Sequence, residues 1–107
     1  MPPILQRVQE LVRANKVLVS DHGFDELLED NIDLELLLQG IARAVVVEEY
    51  PLAFKGPSVL VLQDHGGKAA HVVWGISRDN SELATLVTAY FPDPAKWHDE
   101  FLQRKPK

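Results

Sequence analysis

The chain holds four histidines and no cysteine, so acid–base chemistry near neutrality falls first to imidazole. His22 stands in "SDHGF", where a short apolar run meets a helical pattern. At a helix N-terminus it could serve as a general acid or base. The alternative is a first-turn residue that only packs or hydrogen-bonds locally. His71 stands within "AAHVVWGIS", an apolar run of strand type, and Thr88 and Tyr90 are expected beside it on the next strand. A His–Tyr pair on a sheet can move a proton or hold a phosphate. The competing reading is a buried histidine satisfied by a threonine hydroxyl. His65, in the turn "QDHGGK", and His98, off the Trp97 stripe, read as solvated.

Other chemistry has less footing. Asp21, His22, His71 and Asp64 could converge on a metal, but no spacing of the H-x-x-x-H kind supports it, and neither metal nor cofactor is expected. No Walker loop, G-x-G-x-x-G or G-x-S-x-G occurs, and "DHGGK" is too short to cradle a phosphate. Ser20, Ser58, Ser77 and Ser81 lack an evident base with its own orienting partner.

The elements that position these residues follow from periodicity. "PPILQRVQELVRAN" places Ile4, Leu5, Val8, Leu11 and Val12 on one helical stripe. "KVLVS" is a short strand. In "DHGFDELLEDN", Asp21 can cap a helix that buries Phe24, Leu27 and Leu28. "IDLELLLQGIARA" continues as helix on Leu34, Leu37, Leu38 and Ile41. Four strands follow, "VVVEEYP", "SVLVLQD", "AAHVVWGIS" and "LATLVTAY", with "HGGK" and "RDNS" short enough for hairpin turns. If those turns hold, Leu62 faces His71, His71 lies roughly opposite Thr88, and Ala69 lies opposite Tyr90.

One face then carries Leu60, Leu62, His71, Val73, Leu86, Thr88 and Tyr90, and the other Val59, Val61, Ala70, Val72, Trp74, Ile76, Val87 and Ala89. Both faces are apolar, so helices cover both or a partner covers one; a homodimer is expected on that ground. In "YFPDPAKWHDEF", Asp93 caps and Pro94 opens a last helix, with Trp97 and Phe101 four apart on its docking face.

At 107 residues with 46% hydrophobic and 25% charged side chains, the chain reads as a single α+β domain over residues 1–107. No stretch approaches the ~20 apolar residues of a membrane helix, and a cytoplasmic location without membrane contact is expected. The net charge of −5 argues against binding nucleic acid by bulk electrostatics. Residues 21–50 hold nine acids (Asp21, Asp25, Glu26, Glu29, Asp30, Asp33, Glu35, Glu48, Glu49) against Arg43 alone. Lys96, Arg104, Lys105 and Lys107 make the C-terminus basic.

Three stretches carry a resemblance: "LVSDHGFDELLEDNIDLELLLQGIARAVVVEEYP", "KGPSVLVLQDHGGKAAHVVWGI" and "LVTAYFPDPAKWHDEFLQRK". The last, a strand ending Thr-x-Tyr before Pro-Asp-Pro-x-x-Trp, is the most specific. Over residues 16–105, with residues 1–15 as a helical N-terminal arm, the chain resembles a small bacterial domain-of-unknown-function family. That family is related to RelE/ParE/BrnT-type toxins, and its members often stand beside zinc-finger antitoxins of the YgiT or MqsA type.

The resemblance implies a RelE-like fold: an antiparallel sheet, N-terminal helices packed on it and a C-terminal helix. It also implies a toxin-like protein of a toxin–antitoxin module, with an antitoxin and RNA or the ribosome as partners. Its activity would be metal-independent endoribonuclease cleavage leaving a 2′,3′-cyclic phosphate. His22 and His71 would then be the acid and base and Tyr90 would orient substrate. Thr88 would lie beside them on the substrate side, and Lys55, Lys96 and Arg104 would contact phosphate. The chain departs from the family pattern after His22, where Gly23, Phe24, Asp25, Glu26 and Glu29 stand in place of alanine and arginines. Acids beside a phosphate site repel RNA. The competing class is therefore a non-catalytic interaction module of the same fold.

Overall fold

The stripe of apolar residues near the N-terminus forms α1 (Ile4–Arg13), which buries Val8 and Leu11. A three-residue strand, β1 (Val17–Val19), leads into α2 (Asp21–Glu29), and α3 (Leu34–Gly40) runs on into a 3-10 turn at Ile41–Arg43. The strands β2 (Val45–Tyr50), β3 (Ser58–His65), β4 (Lys68–Ile76) and β5 (Ala84–Tyr90) follow. This computed structural model describes residues 3–98 and 101–104, and the side chains of His98, Gln103 and Arg104 fall outside that description.

The sheet order is β1-β5-β4-β3-β2. The last four strands pair antiparallel, but β1 lies parallel to β5. The sheet is therefore mixed rather than antiparallel. Hairpin signals announce antiparallel neighbours; nothing comparable marks a three-residue strand that pairs with a segment more than sixty residues away.

The three helices contribute to one core on one face of the sheet. Val8, Leu11, Leu27, Leu37 and Ile41 meet Val59, Val61, Ala70, Val72, Trp74, Leu86 and Ala89 there. A buried side-chain amide in that core is bonded at both ends: Gln63 accepts the Trp74 indole N–H at 2.8 Å and donates to the Leu37 carbonyl at 2.8 Å. A buried polar group satisfied at both ends avoids the desolvation penalty of an orphan.

The fold departs from the sequence pattern in four further places, and each bears on the sheet face turned away from the helices or on the helix beside it. First, Val73 pairs with Thr88 and Trp74 with Leu86, so Val87 is an extra residue in β5. This bulge resets the alternation. Leu86 therefore joins the helix-side core at 0% exposure and Val87 stands on the opposite face. The turn pairs Ile76 with Ala84, one residue later than a turn centred on "RDNS" would, and the bulge adds one more, so Tyr90 rather than Thr88 lies opposite His71.

Second, Ser20 caps α2, its Oγ accepting the Gly23 N–H at 2.9 Å, while Asp21 sits in the first turn. Third, α2 turns Gly23 and Leu27 toward the sheet and leaves Phe24 and Leu28 exposed. Gly23 makes the close approach feasible, because a Cβ there would lie 2.7 Å from the Leu86 carbonyl oxygen.

Fourth, the described residues of the C-terminal segment do not form an α-helix. A 3-10 turn, Pro94–Lys96, is capped by Asp93 through the Ala95 N–H. The chain then extends as β6 (Trp97–His98), pairing with β7 (Gln103–Arg104). Trp97 at φ −132° and ψ 147° is extended, and this conformation lays its indole against His71. Tertiary contact here overrides a modest helical propensity.

Candidate functional site

The face away from the helices is where the chemistry-bearing residues gather, and the strand register orders it in rows. One row runs Val45, Leu62, His71, Tyr90. The next runs Glu48, Leu60, Val73, Thr88, and the third Tyr50, Ser58, Gly75, Thr85, Leu18. His71, Thr88 and Tyr90 thus share one face, as the alternation of side chains predicts.

At the His71 end the face is closed. His71 is 0% exposed. Its Nε2 lies 2.8 Å from the Phe101 carbonyl; a carbonyl only accepts, so Nε2 carries the hydrogen. Nδ1 lies 3.3 Å from the Tyr90 hydroxyl, which donates to it when the ring is neutral. Trp97 packs edge-on at 4.3 Å between ring centroids, Tyr90 at 5.4 Å and Phe101 at 6.3 Å. Trp97 is itself buried. The C-terminal hairpin therefore works as a cover, with His71 as the polar peg that fastens it.

At the opposite end the face opens into a groove of about 780 Å³. Ser58, Gly75, Thr85 and Val87 line its floor, Leu18, Asp21 and His22 stand on one side, and Ala53 to Gly56 form the other. The loop on that second side is tied to the end of β4. The Ile76 N–H donates to the Pro57 carbonyl at 2.9 Å, and the Arg78 N–H to Lys55 at 3.0 Å. Gly56 permits this contact: its φ is +133°, and a Cβ there would lie 2.1 Å from the Ile76 carbonyl oxygen. A firmly anchored loop thus holds Phe54 out at 90% exposure.

His22 faces this groove from the first turn of α2 with its side chain 67% exposed, its Nε2 3.4 Å from a Glu26 carboxylate oxygen. Lys55 lies on the groove's other wall. The Thr85 hydroxyl beneath them is buried without a hydrogen-bond partner among the described residues.

The structure thus divides the residues that the sequence singles out. His22 and Lys55 share the open groove; His71, Tyr90 and Thr88 share the other end of the face, and His71 is closed off. Lys96 is exposed on the 3-10 turn leading to Trp97, and the Arg104 side chain lies outside the described residues. His65 is half-buried rather than solvated, its Nε2 accepting the Asp33 N–H at 2.8 Å and its ring edge-on to Phe91. Among the described residues, no three His, Asp or Glu side chains gather as a metal site.

Two features were missed in the sequence. The Tyr50 hydroxyl donates to Glu48 at 2.5 Å on this same face, a pairing that the i, i+2 spacing in "VVVEEY" could have suggested. Phe54, in the loop "LAFKGP", carries no periodic signal.

No curated protein and no solved structure matches the chain. A family model, DUF4258, described as a domain of unknown function, matches residues 19–91. That span runs from the end of β1 to one residue past β5 and holds His22, His65, His71 and every groove-lining residue except Leu18; α1 and the C-terminal hairpin lie outside it. The chain belongs to the DUF4258 family.

Proposed function

We propose that this chain is a non-catalytic interaction module, built on a RelE-like scaffold of toxin-like ancestry, that binds a protein partner through the open part of its sheet face. The observation that carries the reading is the state of His71. Acid–base cleavage of RNA calls for two groups within reach of one scissile phosphate. His71 has both ring nitrogens engaged and lies beneath Trp97 and Phe101. The accessible surface is instead apolar in its prominent side chains, Leu18 at 50% and Phe54 at 90% exposure, and it borders an acidic helix. Apolar patches with a polar rim suit protein contacts.

The second reading is the metal-independent endoribonuclease, and one observation favours it: His22 and Lys55 line the same groove. In that case His22 would be the acid or base and Lys55 the phosphate contact, with the antitoxin as protein partner. The two readings separate in an assay of defined RNA with and without ribosomes. A module gives no cleavage in either setting and no growth arrest on expression. An enzyme gives EDTA-resistant cleavage with a bell-shaped pH profile, and His22→Ala slows it by ~10²–10⁴. That second result would replace the module reading.

A further inference from the structure

The face of α2 turned away from the sheet has the composition of a recognition helix. Phe24 and Leu28, four residues apart, are 55% and 63% exposed. Asp21, Asp25 and Glu29 repeat at the same interval and form an adjoining column. Single exposed apolar residues are ordinary. An apolar column bordered by a carboxylate column is a paired pattern, and its complement is a helix with apolar and cationic columns side by side.

Charge selects the occupant. Residues 17–42 contain no Lys or Arg. Among the described residues, none of Asp21, Asp25 and Glu29 has a cation within ion-pair distance. Among the described residues, the carboxylates on this face therefore stand without a compensating cation. A second copy docking α2 against α2 would set acid against acid, because a two-fold contact repeats the same patch on both sides. RNA is disfavoured by the same sign of charge. Asp21 belongs both to this stripe and to the groove wall, so the surface continues from the helix to Leu18 and the groove.

We infer that the exposed face of α2 docks an amphipathic, lysine- or arginine-bearing helix of a partner protein, with Phe24 and Leu28 as the apolar anchors and Asp21, Asp25 and Glu29 pairing its cations. This rests on the interaction-module reading and names the chemistry of the partner. Anchors give affinity, while the charge column sets partner choice and association rate.

The experiment uses the full chain and two synthetic helical peptides with identical leucine columns, one with a lysine column and one with glutamates in those places, followed by fluorescence anisotropy. The lysine peptide binds, the glutamate peptide binds at least ~10-fold more weakly, and raising salt weakens the first. Phe24→Ser with Leu28→Ser lowers lysine-peptide affinity at least ~10-fold. Asp25→Lys with Glu29→Lys reverses the preference between the peptides. All four positions are exposed, so thermal unfolding of the variants should match the parent and separates lost binding from lost folding.

Binding of neither peptide, equal binding of both, or unchanged binding by the variants would overturn the assignment. Sedimentation showing a dimer that Phe24→Ser with Leu28→Ser dissociates would overturn it too, by making a second copy the occupant. Failure here with no RNA cleavage removes only the α2 assignment; RNA cleavage removes the module reading itself.

Discussion

At one end of the open sheet face a histidine is wholly buried and held at both nitrogens; at the other a histidine stands two-thirds exposed on a groove wall. The two sites share residue types, and what separates them is a short C-terminal hairpin. Trp97 and Phe101 lie over His71, and Phe101 supplies the carbonyl that fixes its hydrogen. The loop bearing Phe54 instead stands beside its groove without closing it. Whether a titratable side chain here is buried or accessible is thus decided by what the rest of the chain lays over it.

The strongest way to break this comparison is to remove the cover. Trp97→Ala should destabilise the protein by ~3–5 kcal/mol in chemical denaturation, the range for deleting a large buried aromatic. A loss under ~1 kcal/mol would mean that the hairpin is only loosely attached. Removing the peg comes next. His71→Leu leaves the Phe101 carbonyl and the Tyr90 hydroxyl without this partner, and a cost of ~1–3 kcal/mol is expected.

Tyr90→Phe deletes one 3.3 Å hydrogen bond and should cost ~0.5–1.5 kcal/mol by the same measurement. The smallest effects belong to the open end. His22→Ala and Phe54→Ala should each change stability by no more than ~0.5 kcal/mol. A larger loss at either position would give the groove a structural role like that of the covered end.

The sequence located the strands closely because β-branched runs between turn residues have few other solutions. "SVLVLQD" and "LATLVTAY" fall within one residue of β3 and β5 at each end. It also placed His71 and Tyr90 on one face. It misplaced Leu86 and Val87 because a bulge leaves no mark in an uninterrupted apolar run. Phe24 and Leu28 were expected in the core because helical periodicity alone cannot tell a buried stripe from an exposed one. The approach of Gly23 to Leu86 chose the face, and that contact is tertiary. The last segment read as a helix because local capping by Asp93 and Pro94 is real. The extension at Trp97 depends on His71, a residue far away in the chain. The candidate site was therefore visible as a set of residue types, while its division into covered and open ends was not.

The most direct test of that division is the ring-nitrogen NMR of the histidines. Neutral His71 should occupy the Nε2–H form alone, its ring hydrogen exchanging slowly with solvent while Nε2 donates to the Phe101 carbonyl. The His22 ring hydrogen should exchange too fast to observe. A His71 ring that mixes both tautomers, or that exchanges as fast as His22, would contradict the division into covered and open ends and return His71 to the accessible surface.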